Sequence, residues 1–184
     1  MIVEMALTLI IGPMKSGKSL ELIARVTPHK YAQKNILYVH PARNVRDIGI
    51  TSRIGIEVKS IKVSSFTEIT EQFDVIGIDE VHMFSAADIA HIETWLKEGK
   101  EVIISGLDVS YNGTLMPSIT KLYELKPDTI INKISVCDIC HTYNGKFTQI
   151  LANGEVITSG LSHVVPEDGT YQYQTRCREC FVIA

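Results

Sequence analysis

Gly12-Pro-Met-Lys-Ser-Gly-Lys-Ser19 fits the spacing G-x-x-x-x-G-K-[ST]. In such a turn Gly12 and Gly17 let backbone N–H groups close around a triphosphate, and the helix that follows points its positive end at the anion. Pro13, Met14, Lys15 and Ser16 form the body of the loop. Lys18, expected in an exposed anion site, can reach the β- and γ-phosphates, and Ser19 can offer a hydroxyl to Mg²⁺. A chance glycine-rich turn would lack the flanks seen here. Leu7–Ile11 reads as a buried strand, and Leu20, Ile23, Ala24 and Val26 give a helical face. The stretch predicts binding of a nucleoside triphosphate.

Asp79-Glu80 closes a second apolar run, Val75–Ile78. On its own an acidic pair at a strand end is more often a solvated turn. Downstream of a phosphate loop it has the Walker B arrangement, in which the first acid serves Mg²⁺ through water and the second can accept a proton from an attacking hydroxyl or water. The pair does not separate a kinase from an ATPase.

The four cysteines form two pairs, Cys137-Asp-Ile-Cys140 and Cys177-Arg-Glu-Cys180. Two C-x₂-C knuckles bring four thiolates to a tetrahedron that suits Zn²⁺, with no open position for chemistry. Disulfides are the main alternative, and the absence of an export signal argues against them. Cys137–His141 also satisfies the haem-attachment string C-x-x-C-H, which would leave the second pair unexplained. The reading is a structural zinc site.

The elements that must carry these groups alternate. The first helix is expected to run to Lys34-Asn35, followed by a strand at Ile36–Val39, a charged loop over 42–55, and an alternating strand at Ile56–Val63. A short helix over 66–72 with Ser65 as cap, a helix over 86–98 ending before Gly99, and a strand at Glu101–Leu107 complete the pattern. Strands separated by helices imply an α/β fold: a parallel sheet flanked by helices with ligands at the carboxyl ends of its strands. Gly12–Ser19, Asn44–Arg46, Asp79-Glu80 and Asp108 all follow strands and can converge on one rim.

Composition sets bounds. The 184 residues suffice for one domain and a small appendage, and 45% hydrophobic content supports a core. No stretch approaches the length of a membrane span. The N-terminus runs into the first strand without a basic leader, so the expected location is the cytoplasm. A net charge of −3 without a basic block gives no footprint for nucleic acid.

Together these features resemble the thymidine kinase family of the small zinc-containing type, over nearly the whole chain from Leu7 to Cys180. GPMKSGKSLELIARV looks like that family's opening, HPARNVR resembles its K-P-x-x-D-x-R, and IGIDEVHMF its I-D-E-x-Q-F-F. SGLDVSY resembles its G-L-D-x-x-[FY], and Tyr173–Cys180 its Y-x-x-x-C-R-x-C. The resemblance implies a RecA-like phosphate-loop domain over 1–133 and a zinc-binding domain over 134–184 with a substrate-covering segment. It implies transfer of the ATP γ-phosphoryl to a deoxynucleoside 5′-hydroxyl, thymidine being the default acceptor, with ATP, Mg²⁺ and structural Zn²⁺. Carried over by residue, Gly12 to Ser19 and Asp79 hold the nucleotide and metal, Glu80 is the general base, and Arg46 lies near the transferred phosphoryl. Met14, Met83, Leu107, Tyr111 and Tyr173 line the nucleoside pocket, covered by a loop at 109–120. The family also implies a homo-oligomer, a tetramer.

Departures cluster at the nucleoside. Asn44 stands where the family has Asp, His82 replaces Gln, Met83 replaces an aromatic residue, and Met116 replaces Phe. Val164–Gly169 replaces an apolar-Gly-Gly segment, bringing Pro166, Glu167 and Asp168 towards the base. Methionine walls are more adaptable than aromatic ones. Two other readings stay open: an ATP-binding regulatory protein on the same fold, and an ATPase in which Glu80 activates water.

Overall fold

Leu7–Ile11 (β1) lies inside the main sheet and ends at the phosphate loop. The structure, a computed structural model, describes residues 6–44, 49–52, 54–165 and 169–183. From the loop the chain enters Lys18–Val26 (α1), then Ile36–Pro41 (β2), Ile50–Thr51 (β3), Glu57–Val58 (β4), Ile61–Val63 (β5) and Val75–Ile78 (β6). Ile89–Lys97 (α2), Glu101–Gly106 (β7), Pro117–Glu124 (α3) and Thr129–Asn132 (β8) follow. Six strands form one sheet in the order β5-β2-β6-β7-β1-β8, and every pairing in it is parallel.

Both faces of that sheet are covered, which is why its strands read as near-continuous apolar runs. Leu7, Leu9, Ile11, Ile76, Ile78, Val102 and Ile104 share one face with Ile89 and Ile92 of α2 and Ile119 and Leu122 of α3. Phe66, Phe84 and Trp95 close that layer, with Phe66 ring centroids 4.4 Å from Phe84 and 5.5 Å from Trp95. Ile10, Val75 and Ile103, the alternate residues of the same strands, meet Leu22, Ile23 and Val26 of α1. The parallel register sets Ile11 beside Gly106 and Ile78 beside Ile104, so β1, β6 and β7 end on one rim.

A three-stranded antiparallel sheet follows: Phe147–Ala152 (β9), Glu155–Ile157 (β10) and Gln172–Arg176 (β11), in the order β10-β9-β11. Asn153 and Gly154 join β9 to β10 with positive φ at both residues, 51° and 84°, as a two-residue hairpin turn requires. The cysteine pairs bracket this sheet in sequence.

Several boundaries differ from the sequence reading. α1 stops at Val26, and Thr27–Lys30 tightens into a 3₁₀ turn around Pro28, which cannot donate to a continuing helix. The loop over 42–55 contains β3, which pairs with β4, so Ile56–Val63 splits between two sheets. The helix expected over 66–72 is a 3₁₀ turn at Phe66–Glu68, with Ser65 accepting from the Thr67 N–H as anticipated. α2 spans fewer residues than 86–98, and β7 ends at Gly106. The covering loop over 109–120 turns helical at Pro117, a residue preorganised for a first helical turn. β8, unanticipated, completes the sheet beside β1.

Gly77 lies on β6 beneath α1, where a Cβ would come 2.9 Å from both the Tyr38 ring and Val26 Cγ2. Strand propensity alone would favour a β-branched residue there. Gly77→Val is expected to destabilise the fold by about 1–3 kcal/mol through overpacking. The measurement is a lower urea midpoint at unchanged slope; an unchanged midpoint would show that α1 has room to move.

Candidate active site and thiolate cluster

Gly12 turns the chain out of β1 with φ 146°, and a Cβ on it would meet the Lys133 carbonyl at 2.3 Å. No other residue fits that approach. The loop then curls on itself: the Ser16 hydroxyl and the Lys18 ammonium both donate to the Pro13 carbonyl, each at 2.7 Å. Lys18 is therefore buried, contrary to the exposed position expected, because its long side chain folds back over its own loop. A cleft of about 160 Å³ is lined by Met14 to Leu20, Thr51, Ser52, Ile54, Glu80 and Leu107.

Asp79 leaves β6 at the same rim and is 5% exposed. Its Oδ1 accepts from the Ser105 hydroxyl on β7 and from the Glu80 N–H, and its carboxylate also bonds the Ser19 hydroxyl. Burial raises its pKa first and the charge of Glu80 adds to that, while the two hydroxyls and Lys18 act the other way. The Ser19–Asp79 bond ties the two halves of the expected Mg²⁺ site together. Glu80 takes a left-handed backbone, φ 51°, a conformation that costs about 1–3 kcal/mol for such a residue. It turns the chain into the 3₁₀ segment Val81–Met83 and places Glu80 on the wall of the phosphate-loop cleft.

His82 is buried two residues on, and its Nδ1 accepts the Leu107 N–H at 3.1 Å. That bond puts the ring proton on Nε2. Nδ1 is also 3.4 Å from Glu80 Oε2, a polar contact and not an ion pair, since the ring is neutral. Burial, followed by the charge of Lys18, pulls the His82 pKa from 6.5 to about 3.

A second, smaller cavity of about 30 Å³ is lined by Met14, His82, Met83, Leu107, Tyr111, Met116, Tyr173 and neighbours. All five residues expected to line a nucleoside pocket are thus in one place. Met14 and Leu107 line both cavities, so the two abut across these side chains. Met116, buried with Tyr111, also lines this cavity. The Tyr111 hydroxyl accepts the Leu161 N–H at 2.9 Å, and the Tyr173 hydroxyl donates to the Val165 carbonyl at 3.2 Å. Arg46 and the segment Pro166, Glu167 and Asp168 lie outside the described residues. The Asn44 carbonyl accepts from Lys62 at 3.0 Å.

Cys137, Cys140, Cys177 and Cys180 converge with all four sulfurs within 4.8 Å of one another, and Cys140 and Cys177 are 3.7 Å apart. A zinc–sulfur bond of about 2.3 Å gives a tetrahedron whose edge is about 3.8 Å, so the cluster fits Zn²⁺. Burial opposes ionisation of Cys137, yet N–H groups of Cys140, Cys177 and Ile139 bring its thiol down to about 6. Neighbouring sulfur, that of Cys177 foremost, pushes Cys180 up to about 12. The sulfurs thus compete, and the crowding at Cys180 is what a dication would relieve.

Residues that sequence reasoning did not single out hold the loop from behind. Thr148 and Thr175, paired across β9 and β11, bond the Met14 backbone. Asp138 meets Lys15, and Ser105 supports Asp79. The Asn153-Gly154 dipeptide was the one local signal of the hairpin that carries Thr148.

The fold and rim are those of α/β phosphate-loop proteins. The thymidine kinase family model matches residues 5–181. The thymidine kinase of Mycoplasma capricolum subsp. capricolum is 32% identical over 185 residues, 95% of this chain and 87% of that protein. That of Mesoplasma florum is 29% identical over 187 residues, 95% of this chain and 90% of that protein. The chain belongs to the thymidine kinase family, a family of nucleoside kinases. Among the described residues no helix is long and apolar enough to cross a membrane.

Two measurements check the chemistry of these sites. Elemental analysis of protein purified without added metal should give about one zinc per chain, and Cys140→Ser should lose it; full zinc retention in the variant would remove Cys140 from the site. Between pH 6.5 and about 3 the unfolded chain takes up a proton that native His82 refuses. The contribution of His82 to stability is therefore complete above 6.5 and lost as pH falls towards 3. Urea midpoints taken from pH 7 to 4 should fall less steeply in His82→Gln than in wild type; parallel curves would mean that His82 charges in the fold.

Proposed function

We propose that the chain transfers the γ-phosphoryl of ATP to the 5′-hydroxyl of a deoxynucleoside, with thymidine the default acceptor. The observation that carries this reading is the junction of the two cavities at Met14 and Leu107, with Glu80 on the phosphate side. The smaller cavity, about 30 Å³, has room for about one water as it stands, so a nucleoside entering it would have to part the methionine and tyrosine walls before directing its 5′ end across that junction. Glu80 would take the hydroxyl proton, the freed oxygen would attack the γ-phosphorus, and the bond to the β–γ bridging oxygen would break, releasing ADP. Lys18 and the loop amides would hold the phosphates, and Arg46 would lie near the transferred group by family resemblance. Ser19 and Asp79 would hold Mg²⁺, Asp79 through water; bound there, the ion offsets charge on the phosphate oxygens. Little covalent work falls to the protein in such a transfer, so positioning and electrostatics dominate.

Met14, Met83, Leu107, Tyr111 and Tyr173 would form the nucleoside wall. The thiolate cluster would serve folding of residues 134–184 as a zinc-binding unit. A cytoplasmic homo-oligomer belongs to the same reading.

A nucleoside panel with γ-labelled ATP tests it. Labelled nucleoside monophosphate should form only with acceptor present. Turnover without acceptor would make the protein an ATPase, and nucleotide binding without turnover would make it a regulatory protein on a kinase fold. Lys18→Ala should abolish transfer. Glu80→Gln should keep ATP binding while kcat falls by about 10²- to 10⁴-fold; an unchanged kcat would move the base elsewhere.

A further inference from the structure

The backbone of Met14 and Lys15, at the crown of the phosphate loop, makes a set of bonds to the segment that carries the cysteines. The Met14 N–H donates to Thr148 Oγ1 at 3.0 Å, and Thr175 Oγ1 donates to the Met14 carbonyl at 2.9 Å. Thr148 and Thr175 are cross-strand partners, both buried. The Lys15 carbonyl accepts from the Ser135 hydroxyl at 3.1 Å. Lys15 itself has φ 62°, a left-handed backbone that a lysine seldom adopts without support.

Asp138 completes the set. Lys15 Nζ donates to both of its carboxylate oxygens, at 3.0 and 2.8 Å. The same carboxylate accepts the Thr175 N–H at 2.6 Å, and the Asp138 N–H donates to the Thr175 carbonyl at 2.8 Å. One side chain thus joins the turn between two cysteines, the strand that grips Met14, and the lysine at the strained point of the loop.

We propose that Asp138 is a positioning residue for the phosphate loop: by holding Lys15 and Thr175 together it keeps the Met14–Lys15 backbone in the shape that presents the following amides to a nucleotide phosphate. This rests on the loop's reading as the ATP site. A loop that occupies its binding shape for a smaller fraction of time binds proportionally more weakly. The Lys15–Asp138 pair is partly exposed, 38% and 28% at the two side chains, and pairs of that kind add little to global stability. Its loss should therefore appear in the loop and in nucleotide affinity, not in the melting temperature. The cysteine-bearing segment then does more than fold itself; it sets the geometry of a site more than a hundred residues away in sequence.

The test uses the full-length protein and the variants Asp138→Ala, Asp138→Asn, Asp138→Glu and Lys15→Met. ATP affinity is read by titration calorimetry, and exchange of the amides from Gly12 to Ser19 is read by hydrogen–deuterium exchange. Asp138→Ala should weaken ATP binding by about tenfold and speed exchange at the Met14 amide, with zinc content as in wild type and a melting temperature lowered by the Thr175 N–H left without its acceptor. In steady state KM for ATP should rise while kcat and KM for the nucleoside hold. Asp138→Glu should recover part of the loss; Asp138→Asn, which keeps an acceptor for Thr175 but not the charge, should fall between. Unchanged affinity and unchanged exchange in folded, metal-replete Asp138→Ala would overturn the proposal. If that variant loses metal or fold, Lys15→Met, which cuts the contact from the loop side, decides by loop exchange measured without nucleotide, a readout that does not depend on any bond from Lys15 to phosphate. If wild type binds no ATP, the functional reading fails by itself, and loop exchange alone decides: faster in the variants supports the clamp, unchanged refutes it.

Discussion

Asp79 is a carboxylate held almost out of solvent at the meeting point of β6, β7 and α1. A charge in that position is tolerated only when its oxygens are occupied. Ser105 reaches it from β7, Ser19 from the start of α1, and the Glu80 N–H from the turn that follows. These bonds draw the two arms of the proposed nucleotide site to one point on the rim. They also account for the backbone of Glu80, whose left-handed turn lets its N–H reach the preceding carboxylate while the chain reverses into the 3₁₀ segment. Everything proposed for phosphoryl transfer depends on this junction.

The smaller sheet contributes from the opposite side. Its central strand β9 carries Thr148, and β11 carries Thr175 and Tyr173, so one face of this sheet serves both the phosphate loop and the adjoining cavity. Four sulfurs gather at the ends of that unit, where an apolar core of its own would be small. Cavity wall and loop are therefore mechanically linked through a few buried hydroxyls.

The cavity wall itself is unusual in its softness. Met14, Met83 and Met116 supply three thioethers, two of them where the family resemblance implies aromatic rings. A flat ring selects by stacking geometry, whereas methionine adapts its shape. His82, neutral and fixed by the Leu107 N–H, gives this wall a ring donor in place of an amide. These changes lie beside a rim that keeps Lys18, Ser19 and Glu80 on the larger cleft and Asp79 buried behind it.

The candidate site was legible in the chain because its groups depend on local spacing. Gly12 to Ser19 form one turn whose shape their own backbone dictates, Asp79-Glu80 end one strand, and C-x₂-C pairs make their own knuckles. Apolar runs at Leu7–Ile11, Val75–Ile78 and Glu101–Leu107 announced buried parallel strands, since burial on both faces leaves no alternation to obscure them. The weaker elements were lost for the opposite reason. β3 and β8 are short or exposed, and α3 begins at a proline inside a stretch with no periodic signal. What only the tertiary structure decided is which distant groups meet: Ser105 with Asp79, Thr148 and Thr175 with Met14, and Asp138 with Lys15. Each is a single hydrogen-bonding side chain among many similar ones, and residue type carries no record of its partner. Register between strands and the closing of the thiolate unit supply that information, because they fix distances that the chain's own order leaves open.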